Sequence, residues 1–352
     1  MPHSIKPLQR ILVIRRDNIG DLICTLPLIN NLRENYPEAQ IDLLVNSYNQ
    51  QTIEQQPEID SVYAYTKAKH RLKGQSKLRV YWQRLLLLLR LRHTRYDISI
   101  LAGSRFSNHA LKLAKVINAK HIMAVVPASP IINCIDLSIL ESFDTSLHEA
   151  EHCLALLPLL GIKANPTIAA NLYANPTCIK SWQAYLAEQR LYQKSRLTIG
   201  IHISARKPSQ RWSITYFIDL IQRLHQSYAC QFILFWAQGD ENNPQHPGDN
   251  QKAQAILTAV SDLPVFPFET KQLRDLIAGI DCCDQFICSD GGAMHIAAGL
   301  GKPLLCFFGD SNAQQWYPWQ VTHQLLQPDS KQVKDISPKM AHAAFTQLQD
   351  SL

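Results

Sequence analysis

Residues 283–310, CDQFICSDGGAMHIAAGLGKPLLCFFGD, decide how this chain folds. An apolar stretch at 285–288 turns at Asp290-Gly291-Gly292, continues as a small-residue helical run over 293–300 and reaches a second apolar stretch at 303–308. Neighbouring parallel strands need a crossover, which a helix usually supplies, so strand, glycine turn, helix and strand read as one unit of a parallel α/β sheet. The same rhythm runs upstream. Strands are expected at 197–203, 231–235 and 263–266, with helices over 213–227, 250–260 and 271–280.

Before residue 165 a separate alternation is legible. Strands are expected at 11–14 (ILVI), 41–45, 62–65, 98–102 and 121–127, with helices over 22–36, 80–92 and 147–160, the last ending at Gly161. The apolar strands lack polar alternation, as expected where helices cover both faces of a sheet. The Pro/Asn-rich stretch NPTIAANLYANP reads as the linker. The expected architecture is therefore α/β, with two facing Rossmann-like domains, 1–168 and 169–335, and a cleft at the carboxyl ends of their strands. A closing helix over 336–352 is expected to pack back on the first domain.

Length and composition agree with this reading. The 352 residues suit two domains, and 46% hydrophobic with 18% charged residues excludes a disordered, collagen-like or coiled-coil chain. The net charge of +6 is uneven: residues 1–175 hold 20 Lys and Arg against 14 Asp and Glu, whereas the remainder holds 15 of each. A basic first half suits a phosphorylated, acidic or nucleic-acid partner. The nine cysteines form no Cys-x-x-Cys pair, and Cys282, Cys283 and Cys288 beside an apolar run read as buried free thiols. The opening MPHSIKPLQR lacks the pattern of a secretory signal, and purely apolar runs such as 85–89 are far short of a membrane span. A cytoplasmic protein with reduced thiols is expected.

Four features carry chemistry. At 289–295 the strand end, Gly291, Gly292 and the helix start offer free N–H groups and a partial positive charge to a phosphate or diphosphate. His295 can add a donor there, and Asp290 is suited to capping the helix or accepting from a ribose. The loop IGIHISARKPSQRW (199–212) opens on the same sheet edge, with Ser204, Arg206, Lys207 and Arg211 able to clamp the anion's other side. Phe307, Phe308, Trp316, Tyr317 and Trp319 are expected to form a cleft wall. In the first half, RRDNIGDLICTLP (15–27) has Gly20 but not the three spaced glycines of a dinucleotide fingerprint. Asp21 there is either a helix-start acid or a base for an incoming hydroxyl. Finally, ten Lys and Arg from Lys67 to Arg95, without one acid, interleave with LLLLL as a basic patch for an anionic membrane surface or an acidic acceptor.

These residues carry a family resemblance. ILVIRRDNIGDLICTLPLINNLRENYPEAQIDLLV resembles the opening of the lipopolysaccharide heptosyltransferases, glycosyltransferase family 9, and SDGGAMHIAAGLGKPLLCFFGDSNAQQWYP resembles that family's nucleotide-binding signature. RYDISILAGSR and HEAEHCLALLPLLGI are similar too, so the likeness spans about residues 10–325. It implies a GT-B fold whose first lobe takes an anionic lipid-linked oligosaccharide and whose second takes an ADP-activated heptose. The transfer it implies is an inverting displacement onto the inner core of lipopolysaccharide or lipooligosaccharide. Asp21 matches the general base; Asp290, Gly292 and His295 match the diphosphate residues; Asn18, Gly20 and Arg105 are assigned to the acceptor. Where the family carries a Lys this chain has Gln210, which leaves Lys207 or Arg211 to supply that charge. An acid near the nucleoside is expected at Asp240 or Glu241.

No metal or other cofactor is expected, since fixed positive charge can stabilise the leaving group and no Asp-x-Asp pair occurs. Peripheral contact with the inner membrane through Lys67–Arg95 is expected, and no nucleic acid. Three other readings compete: a family member using a different nucleotide sugar, a nucleotide-sugar epimerase or hydrolase on the same scaffold, and a non-catalytic nucleic-acid or membrane binder. The last leaves the SDGGAMH loop unexplained.

Overall fold

The computed structural model describes residues 8–66, 77–129, 132–142, 144, 146–239 and 248–352. The chain divides into two units, 1–170 and 171–352. The first contains β1 (Arg10–Ile14), α1 (Ile19–Ile23), α2 (Leu26–Asn35), β2 (Gln40–Asn46), β3 (Ser61–Tyr65), α3 (Lys77–Thr94), β4 (Ile98–Leu101), α4 (Asn108–Ile117), β5 (His121–Val126), β6 (Leu137–Leu140) and α5 (Glu149–Leu154). Its six strands are parallel in the order β3-β2-β1-β4-β5-β6. Ile11, Leu12, Val13 and Ile14 are all buried, so both faces of the central strand are covered.

The second unit contains α6 (Pro176–Ala187), β7 (Leu197–His202), α7 (Ile214–Ser227), β8 (Cys230–Phe235), α8 (Asn250–Ala259), β9 (Val265–Phe268), α9 (Leu273–Asp281), β10 (Gln285–Ser289), α10 (Gly292–Gly299), β11 (Leu304–Phe307), α11 (Ala313–Trp316), β12 (His323–Leu326) and α12 (Pro338–Asp350). Its parallel order, β12-β11-β10-β7-β8-β9, repeats the pattern of the first sheet. Each unit has the doubly wound order in which the chain reverses direction beside its first strand. The switch points lie between β1 and β4 and between β7 and β10.

Several expectations need correction. The single helix expected over 22–36 is two, because the Pro27 ring has no N–H and would clash with the carbonyl four residues back. Pro158 likewise ends regular helix within 147–160, leaving α5 and a 3-10 turn closed by Gly161 at φ 73°. The strand at 303–308 is not the last, since β12 follows it. The unit boundary follows hydrogen bonds: Asn30 Nδ2 donates to the Ala169 carbonyl (3.0 Å), whereas the Leu172 N–H donates to Gly299 (2.7 Å).

The closing helix does not belong to the first unit's core. Ala341, Ala344, Phe345 and Leu348 of α12 are buried in the second unit's core with Trp212, Phe217 and Leu224. The Trp212 indole N–H also donates to the Ile336 carbonyl (2.8 Å), tying the chain down just before α12. Phe307 and Phe308 are fully buried, so they stabilise this unit rather than wall a cleft. Cys283 and Cys288 are buried free thiols as expected; Cys282 is free but only partly buried.

Candidate functional site

In the second unit, the loops after β7 and β10 meet at the switch point. Gln210 is buried, and its Nε2 donates to Asp290 Oδ2 (2.6 Å) and Ser311 Oγ (2.8 Å). Its carbonyl accepts from Ser289 Oγ (2.8 Å), so one residue joins three loops. Beside it, Asp310 Oδ1 accepts from Ser209 Oγ (2.8 Å) and pairs with Lys207 Nζ (3.2 Å). A Cβ on Gly309 would lie 2.4 Å from the Ser209 carbonyl oxygen, so glycine there permits the close approach.

The helix start matches its expected form. Gly291 sits at φ 157°, ψ −171°, a conformation open almost only to glycine, and a Cβ there would meet nothing within 4 Å. Gly291 precedes α10 and brings no capping side chain, a setting in which first-turn amides can meet an anion. His295 is buried in that turn, edge-on to Trp316 at 5.9 Å. Asp290, Gly291, Gly292 and His295 therefore occupy one place.

The basic loop is more varied than expected. Ser204 Oγ accepts from the Ala237 N–H (2.8 Å), binding the β7 loop to the β8 loop. Arg211 turns back onto the carbonyls of Ala205 (3.2 Å) and Arg206 (3.5 Å), while Arg206 is exposed. Neither Lys207 nor Arg211 occupies the position of Gln210, which makes its own contact with Asp290. Asp240 and Glu241 lie outside the described residues. Lys252, unremarked in the sequence, fixes the loop's base by donating to the carbonyls of Ile203 (2.8 Å) and Trp212 (3.0 Å). Burial lowers its ammonium to about 8.

His202 ends β7 at the root of this loop, and burial pushes its imidazole down to about 4. Between pH 6.5 and 4 the unfolded chain therefore binds a proton that the folded chain resists, and stability falls with pH across that window. For this half-buried ring the loss is about 1–2 kcal/mol. Thermal melts of His202→Asn and the parent should converge as pH drops from 6.5 to 4; parallel curves would reject the assignment.

The first unit builds a second constellation at its own switch point. Arg15, buried at the end of β1, donates from one nitrogen, Nη2, to Asp21 Oδ1 (2.8 Å) and Glu149 Oε1 (2.8 Å). Its Nε lies 3.3 Å from Asp17 Oδ2. Burial alone would lower this guanidinium, but the Cys153 sulfur and the carboxylates of Asp21, Glu149 and Asp17 reverse the sign and hold it above its ordinary value. Gly103, at φ 139°, leaves room for it: a Cβ there would lie 2.5 Å from Arg15 Nη1.

Asp21 shows the first of its expected characters, a helix-start acid. Its Oδ2 accepts from the Asn18 N–H (3.1 Å) and Nδ2 (3.2 Å), the capping arrangement of a helix-start acid. Yet 18% of its side chain remains exposed, against 1% for Glu149, so solvent reaches it. Gly20 is buried within α1. Arg105 lines a small cavity of about 20 Å³ with Arg16, Asp17 and Ser107 at the ends of β1, β4 and β5. Sequence reasoning missed Arg15 and Glu149 because their pairing spans 134 residues; the HEAEH stretch was noticed only as a resemblance. Among the described residues, no group of three or more His, Cys, Asp or Glu is placed to hold a metal ion.

Comparison with known proteins now bears on these constellations. The family model for glycosyltransferase family 9 (heptosyltransferase) matches residues 169–341. Lipopolysaccharide heptosyltransferase 3 of Escherichia coli K12 is 25% identical over 315 residues, covering 88% of this chain and 84% of that protein. The chain carries a glycosyltransferase family 9 domain. This glycosyltransferase also shares its fold with solved structures. A family 9 glycosyl transferase from Veillonella parvula superimposes with a TM-score of 0.81 at 20% identity, covering 98% of both chains. The E. coli ADP-heptose LPS heptosyltransferase II gives 0.73 at 18% identity, covering 98% of this chain and all of that one. The architecture is thus of the GT-B type, two Rossmann-like units in one chain.

Proposed function

We propose that this glycosyltransferase moves a heptose from ADP-heptose to the inner core of lipopolysaccharide or lipooligosaccharide, with inversion at the anomeric carbon. The observation that carries the reading is the uncapped α10 start held beside Asp290 and Gln210 at the β7/β10 switch point, a setting for the diphosphate of a nucleotide sugar. Asp21 accepts the proton of the acceptor hydroxyl as its oxygen bonds to the anomeric carbon and the bond to ADP breaks. The α10 amides, His295 and the cations Arg206, Lys207 and Arg211 stabilise the departing diphosphate. Ser204, Gly291 and Gly292 shape the donor site, while Asn18, Gly20 and Arg105 serve the acceptor. Because that acceptor is lipid-linked, the enzyme works at the cytoplasmic face of the inner membrane.

Transfer from ADP-heptose to a core acceptor, with products resolved by mass spectrometry, tests the reading directly. Release of ADP without acceptor, or a changed sugar on the nucleotide, would instead identify a hydrolase or epimerase. ADP at a hundredfold excess over its Kd should raise apparent stability by about 2.7 kcal/mol, and UDP and GDP by less. Gln210→Ala strips Asp290 of its amide partner, and ADP affinity measured by calorimetry should fall roughly tenfold or more. Unchanged affinity would remove this loop cluster from the donor site.

A further inference from the structure

The helix α3 has two apolar faces, and only one is used in packing. Val80 and Leu91 are buried and Leu87 and Leu88 pack into the first unit's core. Arg84 and Arg90 lie over the rings of Tyr65 and Tyr63 (5.3 Å each), and Arg92 Nη1 donates to the Val116 carbonyl (3.0 Å). These contacts fix the helix's rotation. Leu78, Tyr81, Trp82, Leu85, Leu86 and Leu89 are consequently turned outward, 45% to 81% exposed. At 3.6 residues per turn they fall within an arc of about 140°, forming one continuous stripe.

We propose that this stripe seats the protein on an anionic lipid bilayer, with the six side chains entering the headgroup–acyl boundary. As an account of where the acceptor is met, it rests on the functional reading above. Large apolar side chains gathered on an exposed surface mark a contact site, whereas scattered ones do not. Charge selects the partner. From Lys77 to Arg95 the sequence holds six Lys and Arg and no acid, so a second copy of this face would bring like charges together. Anionic headgroups complement them instead. A tryptophan and a tyrosine beside the leucines suit the bilayer interface, where amphipathic rings reside. No described helix is long and apolar enough to cross a membrane, so α3 would lie on the surface rather than span it. The seat is the apolar stripe; of the basic run expected to make this contact, residues 67–76 lie outside the described residues, and Arg84, Arg90 and Arg92 anchor the helix to its own unit.

The test uses the full chain and vesicles of phosphatidylcholine with or without phosphatidylglycerol. Sedimentation should show binding that requires phosphatidylglycerol and weakens with salt, and Leu85→Glu/Leu86→Glu should reduce it at least tenfold. The melting temperature should hold, because both side chains are already exposed. Heptosyl transfer to a delipidated core oligosaccharide should be equal in parent and variant. Binding that survives the double substitution, or no binding by the parent, overturns the proposal, as does a fall in oligomeric state on substitution, which would make the stripe a self-association face. Absence of transfer to the delipidated acceptor in both proteins would overturn the functional reading while leaving lipid binding intact.

Discussion

Asp21→Asn is expected to lower the turnover number for heptosyl transfer by about 10²–10⁴-fold, the range for loss of a positioned base, with ADP affinity nearly unchanged. The amide is isosteric and its oxygen can still accept from Arg15, so the backbone of α1 should hold. What disappears is the carboxylate proposed to take the hydroxyl proton. The substitution also costs part of the cap, since an amide nitrogen facing the Asn18 N–H cannot accept from it; about 1 kcal/mol of stability is at stake. Melting temperature must therefore be measured beside activity. Calorimetric titration with ADP separates the outcomes: collapse of nucleotide binding would place Asp21 in the donor site, and full activity would leave it a helix cap only.

The fold was legible wherever burial makes a sequence apolar on both faces. ILVI, LTIGIH and QFICS announce central strands of parallel sheets because helices cover them from either side. Two of the four edge strands escape this logic. β6 (LSIL) alternates between half-buried and exposed, and β12 (HQLL) is half-buried throughout, so neither forms the apolar run that the eye finds. The helix α6 starts at the last residue of the expected linker and is not among the expected helices, although Asn175 followed by Pro176 is itself a helix-start signal: Asn175 Oδ1 accepts from the Thr177 N–H at 3.0 Å.

The site was legible in part for a related reason. Asp290-Gly291-Gly292 and Asp21 stand out because their chemistry is local, set by a strand end and a helix start. Their supporting contacts are not local. Gln210 and Asp290 are 80 residues apart and meet only because β7 and β10 are neighbours, an adjacency that strand order, not composition, creates. On sequence alone Gln210 read as a missing lysine; in the fold it is a buried junction with four polar contacts of its own.

Arg15 is where this non-local logic has its largest expected consequence for stability. Three carboxylates surround one buried guanidinium, and two of them share a single nitrogen, so removing the cation leaves Glu149 buried with its negative charge uncompensated. Losing one partner of such a cluster costs about 3–5 kcal/mol. For a unit of this size that is roughly 6–20 °C of melting temperature, and Arg15→Met should show it by calorimetry. The loss belongs to the stranded charge more than to the missing contact. Glu149→Gln added to Arg15→Met should therefore recover part of the deficit, whereas Glu149→Gln alone should destabilise. A double variant as unstable as the sum of the two singles would mean that the residues act independently, and Arg15 would then be a packing residue rather than the cation on which Asp21 and Glu149 both depend.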